Sequence, residues 1–252
     1  MSLEYDSNPC LVCGGSGWEL CGEEGEYRVK RCNCYVEQRR KRLYLAARIP
    51  RKFKDCRLDN FEVYERLGGK KKINHSLSQP HDVAKEFVKK YPSVNKGLFF
   101  MGSCGVGKTH LAVAIISELT LTKGVPCLFY DFRDLLKEIR SSYDAGSPIS
   151  EFSVLEPVVT KEVLVLDDLG AWKITDWVQD IVNYIINKRY NESLITIITS
   201  NWMDNPKNVD EANLADRIGV RLRSRLHEMC HEFEVEAKDY RENKKRPGSL
   251  LK

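Results

Sequence analysis

The sequence predicts an α/β protein, a parallel sheet covered by helices on both faces, with a small extra module at its N-terminus. Three observations carry that prediction. Four short apolar runs, in KGLFFM, VPCLFYDF, KEVLVLDD and SLITIITSN, alternate with segments of helical periodicity, as strands buried on both faces and joined by crossover helices do. The first run opens into a glycine-rich loop and then a strongly apolar helix. Five of the nine cysteines fall within the first 34 residues.

Residues 1–50 are expected to hold the module and a basic helix. Cys10 and Cys13 in CLVC, and Cys32 and Cys34 in CNC, are two close thiol pairs about a hairpin apart, with turn-rich GGSGW and CGEEGEY between them. Such pairs are what a tetrahedral Zn2+ site takes from a chain too short to bury a core of its own. Free surface thiols or redox chemistry are the alternative, and Cys21 is a fifth thiol that could replace a ligand. The stretch YVEQRRKRLYLAARIP reads as a helix stopping before Pro50, because the residue preceding a proline is pushed out of helical geometry. Between Arg28 and Lys54 lie eleven Lys or Arg and one acid, Glu37, a field that attracts polyanions or an acidic partner surface.

Residues 51–96 read as a segment leading into the core. Gly68, Gly69 and the lysines after them suggest an exposed turn. PHDVAKEFVKKYP places Val83, Ala84, Phe87 and Val88 at helical spacing, and a second proline ends it.

The chemistry begins with the third unit, residues 97–252. After the strand Leu98 to Met101, the loop Gly102, Ser103, Cys104, Gly105, Val106, Gly107, Lys108 and Thr109, followed by His110, matches G-x-x-x-x-G-K-T between a strand and a helix. Glycines let backbone N–H groups turn inward around phosphate oxygens, and the helix start adds partial positive charge. Lys108 would bring a point charge to the β and γ phosphates of ATP, and the Thr109 hydroxyl a ligand to Mg2+. Asp167 and Asp168 emerge at the carboxyl end of the strand Val163 to Leu166, where open α/β sheets place their ligands. Asp167 is expected to hold Mg2+, directly or through water, and Asp168 to orient and deprotonate the attacking water, with a capping role as the alternative for Asp168.

The strand SLITIITSN ends in Thr199, Ser200 and Asn201, and the Asn201 amide could hold that water, sense the γ-phosphate, or simply start a turn. In YDFRDLLKEIRSSYD, Phe132, Leu135, Leu136 and Ile139 form the core stripe of an amphipathic helix. RIGVRLRSRLHEMC packs four arginines into nine positions. On one continuous helix, Arg217, Arg221 and Arg225 would share a face, with Arg223 turned away.

A chain of 252 residues, 30% charged and 42% hydrophobic, can build one substantial core and a small appendage. A formal net charge of +4 is too small to argue for nucleic acid by itself. No apolar run approaches a membrane span and the start lacks a signal-peptide pattern. Thiols such as Cys104 in the glycine loop and Cys127 in an apolar strand fit a reducing compartment, so a cytoplasmic protein is expected.

Taken in order, GSCGVGKTH, LVLDDLGA, IITSN and RLRSRL resemble the AAA+ P-loop ATPases, and within them the bacterial DnaC/DnaI replicative helicase loaders, their phage relatives and the kindred IstB transposition helpers. IPRKFKDCRLDNF is similar to the segment leading into that family's core, and the cysteine module to the loaders' N-terminal zinc module. The resemblance implies an ATPase switch that grips a DnaB-type hexameric helicase through its N-terminal module and delivers it to single-stranded DNA. It also implies that YDFRDLLKEIRSSYD corresponds to the helical insertion lining the DNA path, and that the protein self-associates through its ATP interfaces, with Arg225 in RSR reaching a neighbour's nucleotide and Arg221 or Arg217 behind it.

Two features depart from the family pattern. Asp168 stands where many members carry glutamate, and only about fifty residues follow Asn201, too few for a large helical lid, so Arg241 is no more than a guess for a second nucleotide-sensing arginine. An IstB-like helper would be the same engine with another client, whereas a P-loop kinase would need an acceptor pocket and a closing lid for which the chain gives no sign. The cysteine module with its basic helix favours the loader.

Overall fold

The computed structural model describes residues 10–22, 26–67, 70–144, 146–172, 175–205 and 212–243. The turn expected at Gly68 and Gly69, and residues 23–25 between the cysteine pairs, lie outside these. Strands β1 (Trp18–Cys21) and β2 (Arg28–Arg31) pair antiparallel, and α1 (Asn33–Ala46) follows. A second antiparallel pair, β3 (Tyr64–Leu67) and β4 (Lys70–Ile73), precedes α2 (His75–Lys90). Next come β5 (Gly97–Met101), α3 (Lys108–Glu118), β6 (Cys127–Asp131), α4 (Phe132–Ser141), α5 (Glu151–Thr160) and β7 (Val163–Asp167). The described chain closes with α6 (Asp176–Asn191), β8 (Ile195–Ser200), α7 (Leu214–Ile218), α8 (Val220–Met229), β9 (Cys230–Glu234) and α9 (Tyr240–Asn243).

Strands β6, β7, β8, β5 and β9, in that spatial order, form one sheet in which every pairing is parallel. Every residue of β5, β7 and β8 is buried, which is why these strands read as largely apolar runs. Successive strand side chains point to opposite faces, and the core divides accordingly. Leu98, Phe100, Val163, Val165 and Ile197 pack with α2 and α3, whereas Phe99, Met101, Leu164, Leu166 and Ile198 pack with α4, α5, α6 and α8. The stripe Phe132, Leu135, Leu136 and Ile139 is the buried face of α4, as its spacing predicts.

Residues 51–96 do more than connect. Cys56, Leu58, Leu77, Ala84, Phe87 and Tyr91 belong to the first apolar layer, and so do Ala47 and Ile49 from the N-terminal unit. The Ala47 carbonyl accepts from the Phe129 N–H of β6 at 2.8 Å, and Arg39 of α1 donates to the Gly124 carbonyl at 3.0 Å. Helix α2 begins at His75, ahead of Pro80, because the Asn74 side chain caps it by accepting from the Ser76 N–H at 2.9 Å.

The arginine stripe is not on one helix. Gly219, at φ 87°, separates α7 from α8, and a Cβ there would fall 2.7 Å from the Gln179 side chain. Glycine at this position lets the chain turn between two short helices. Arg217 is thus on α7, while Arg221 and Arg225 share a face of α8.

Candidate functional site

The glycine loop, the two aspartates and Asn201 meet at the carboxyl edge of the sheet. Loop residues 102–107 leave β5 and lead into α3, with Lys108 as its first residue. The Lys108 ammonium is buried and donates to the carbonyls of Gly102 at 2.8 Å and Ser103 at 2.7 Å, and to Asn201 Oδ1 at 2.8 Å. Burial pushes its pKa down, Cys104, Asp168 and Asp167 push it up, and the charge of Arg241 pushes it down again. A desolvated ammonium held among neutral acceptors gains from an anion placed beside it.

Asp167 ends β7 and is buried. Its Oδ1 accepts from the Thr109 hydroxyl at 2.8 Å and the Thr199 hydroxyl at 2.6 Å. Burial raises its pKa, and the two hydroxyls partly offset that rise. Asp168 follows in left-handed geometry at φ 60°, with its N–H bonded to the Thr199 hydroxyl at 2.9 Å. Asn201 Nδ2 donates to one of its carboxylate oxygens at 2.5 Å and Arg133 Nη2 to the other at 2.8 Å. Asn201 therefore bridges the loop lysine and the second aspartate, its Oδ1 on one and its Nδ2 on the other.

The segment after β9 lies against the loop. The Tyr240 N–H donates to the Gly105 carbonyl at 3.0 Å, and a Cβ at Gly105 would stand 1.9 Å from the Asp239 carboxylate, so only glycine fits there. Sequence reasoning missed Asp239 and Arg133. Arg133 had a usable signal, since it lies two residues beyond the carboxyl end of β6, beside the end of β7 that Asp168 follows.

At the N-terminus the Sγ atoms of Cys10, Cys13, Cys32 and Cys34 all lie within 4.8 Å of one another. Cys10 and Cys32 are 3.8 Å apart, and Cys13 and Cys34 3.4 Å. A tetrahedron with Zn–S bonds of ~2.3 Å has edges of ~3.8 Å, so these four sulfurs could hold zinc. Cys21 is outside the group, its thiol directed at the Glu19 carbonyl. At Cys13 the burial effect, which raises the pKa, is outweighed by the backbone of Gly17 and Gly15 and by Cys34, which together bring it to about 6. The Cys13 and Cys32 sulfurs beside Cys34 push that thiol up to about 12.

Of the arginines, Arg217 stacks 3.9 Å from the Trp202 ring centroid. Arg223 is pinned between Asp204 and Glu232. Arg221 is exposed and Arg225 half-buried, with the Nη1 atom of Arg225 lacking a hydrogen-bond partner among the described residues.

The profile of the IstB-like ATP binding protein family matches residues 45–248, which include every residue of the loop-and-aspartate site. The chain belongs to this family. It is similar to the phage-like element PBSX protein XkdC of Bacillus subtilis, 27% identical over 240 residues, covering 90% of this chain and 81% of XkdC. Against the replicative helicase loader DnaI of the same organism, identity is 30% over 120 residues, 46% of this chain and 37% of DnaI. The crystal structure of the DnaC helicase loader superposes with a TM-score of 0.62 at 33% identity, covering 74% of this chain and all 100% of that one.

For an IstB-like ATP-binding protein, the arrangement assigns chemistry to this chain's own groups. Backbone N–H groups of residues 102–109 and the Lys108 ammonium suit phosphate oxygens. The adjoining Thr109 hydroxyl and Asp167 carboxylate, 2.8 Å apart, would hold Mg2+, which supplies charge neutralisation to the phosphates when bound. Asp168, held by Asn201 and Arg133, is the second carboxylate at this edge of the sheet. The cysteine group lies outside the family match, in the unit joined to the core through α1. Among the described residues no helix is long and apolar enough to cross a membrane.

Proposed function

We propose that this protein is an ATP-driven loader of a DnaB-type replicative helicase onto single-stranded DNA, in which ATP hydrolysis acts as a switch. The observation that carries the reading is the union, in one chain, of an IstB-like ATP site with a four-thiol group that leads directly into a basic helix. Residues 1–50 would be the helicase grip, folded around Zn2+; residues 97–252 the ATPase; and residues 51–96 the segment that ties them. The charge of α1 suits an acidic helicase surface: Arg39, Arg40, Lys41 and Arg42 follow one another on it with Glu37 its only acid. Support for a replication client comes from DnaI and DnaC, both named as helicase loaders.

In this reading Lys108 and the loop bind ATP, Thr109 and Asp167 take Mg2+, and Asp168 with Asn201 positions the attacking water. Arg225 reaches the nucleotide of a neighbouring copy, with Arg221 beside it for assembly. Arg223 is held by Asp204 and Glu232, while Arg217, stacked on Trp202, stands behind the α8 pair for that role. Arg241 acts on Lys108 through its charge and is the remaining candidate for a second sensor.

Capture of the host helicase tests the reading. Deleting residues 1–50 would strip Ala47 and Ile49 from the core, so a point substitution is the cleaner probe. Purified protein should carry about one zinc per chain. Cys32→Ser should lose the metal and helicase capture while keeping ATP binding. Metal-free wild-type protein, or a variant that still captures helicase, contradicts the assignment of the grip. The transposition-helper reading predicts stimulation of a transposase with no affinity for helicase.

A further inference from the structure

The hairpin β3–β4 has no part in the ATP site or the cysteine group. All four residues of β4, Lys70 to Ile73, are exposed, and the register sets Tyr64 opposite Ile73, Glu65 opposite Lys72, Arg66 opposite Lys71 and Leu67 opposite Lys70. Side chains alternate along a strand, so Tyr64, Ile73 and Lys71 belong to one face, and Glu65, Lys72 and Lys70 to the other. The Glu65 carboxylate accepts from the Lys238 backbone N–H at 3.1 Å, which turns the second face toward residues 234–238. The first face looks outward. Tyr64 is 52% exposed and Ile73 53%.

A two-stranded hairpin is marginal by itself, and three successive lysines on one strand repel one another. This hairpin stands because its base is anchored. The Asn74 N–H donates to the Val63 carbonyl at 2.8 Å, Asn74 Nδ2 to the Glu236 carbonyl at 2.9 Å, and the Ser76 hydroxyl to the Glu234 carbonyl at 3.0 Å. The anchoring segment is the one that continues to Asp239 and Tyr240 over the glycine loop. A rigidly based ribbon that displays an exposed aromatic ring on the same face as a lysine offers a stacking platform for a single strand. The ring takes a base, and the Lys71 ammonium takes a neighbouring phosphate.

We infer that the outward face of β3–β4 is a contact for single-stranded nucleic acid, with Tyr64 stacking a base and Lys71 meeting the phosphodiester backbone. The inference rests on the reading that this protein acts on single-stranded DNA and names the surface that touches it. Charged residues on an exposed strand also serve simply to block edge-to-edge pairing. A glutamate blocks pairing equally well and repels phosphate, so Lys71→Glu separates the two roles.

The test is the anisotropy of a labelled oligo-dT strand about 20 nucleotides long, titrated with full-length protein at several salt concentrations in the presence of Mg·ATP. Tyr64→Ala should weaken binding about tenfold and Tyr64→Phe much less, since the stacking ring remains. Lys71→Ala should reduce the slope of log K against log salt by about 0.7, and Lys71→Glu should weaken binding further, with ATP affinity unchanged in each variant. Wild-type protein that does not bind the strand overturns both the inference and the reading beneath it. Wild-type binding that all the hairpin variants retain overturns the inference alone. Loss of helicase capture with strand binding intact does so too, and marks the face as a protein contact.

Discussion

Asn201 is the side chain on which the ATP site turns, because its two amide ends hold Lys108 and Asp168 at once. Asn201 and Arg133 together occupy both carboxylate oxygens of Asp168 and so fix its orientation. Lys108→Ala should therefore abolish tight ATP binding, while Asp168→Asn should keep binding and slow turnover about 100-fold, as loss of a general base does. Hydrolysis and nucleotide binding measured together check this, and unchanged hydrolysis in both variants contradicts the assignment. Single residues were legible wherever a motif fixed their spacing, as for Gly102 to Thr109 and for Asp167. Arg189 was not legible, because a basic residue is expected at the surface. It is wholly buried with no carboxylate partner among the described residues, and donates to the Thr196 hydroxyl and to the carbonyls of Val158, Lys161 and Ile195.

Among the elements, the buried strands β5, β7 and β8 and the stripe of α4 announce themselves by largely apolar runs or periodic apolar residues. Strand β9 does not. CHEFE is mostly polar, with its apolar residues Cys230 and Phe233 three apart rather than alternating, and follows α8 without a glycine or proline, so only its pairing with β5 makes it a strand. The hairpin β3–β4 escapes for a related reason, since its lysines bury nothing and read as loop. The division of the arginine stripe at Gly219 leaves Arg221 and Arg225 together on α8, and this bears on assembly. Arg225→Ala should bind ATP as a monomer but fail to form ATP-dependent assemblies. Mixed with Lys108→Ala it should recover partial hydrolysis, because an intact site can then meet an intact arginine across an interface. Normal assembly by Arg225→Ala, with no recovery at any mixing ratio, would show that the arginine does not act between subunits.

For the molecule as a whole, one edge of a parallel sheet gathers the glycine loop, both aspartates, Arg133 and Asn201, while α1 joins the cysteine group to the core layer that also holds α2 and α3. The hairpin and the loop share the segment 234–240 as a common support. A switch that passes from nucleotide to partner through such shared supports should change both affinities reciprocally. If ATP binding at this edge drives the placing of a helicase on DNA, the amount of host replicative helicase retained on circular single-stranded DNA, which has no end to thread, should rise greatly when both this protein and ATP are present. Lys108→Ala should not give that rise, and equal retention with and without the protein would contradict the proposed loading.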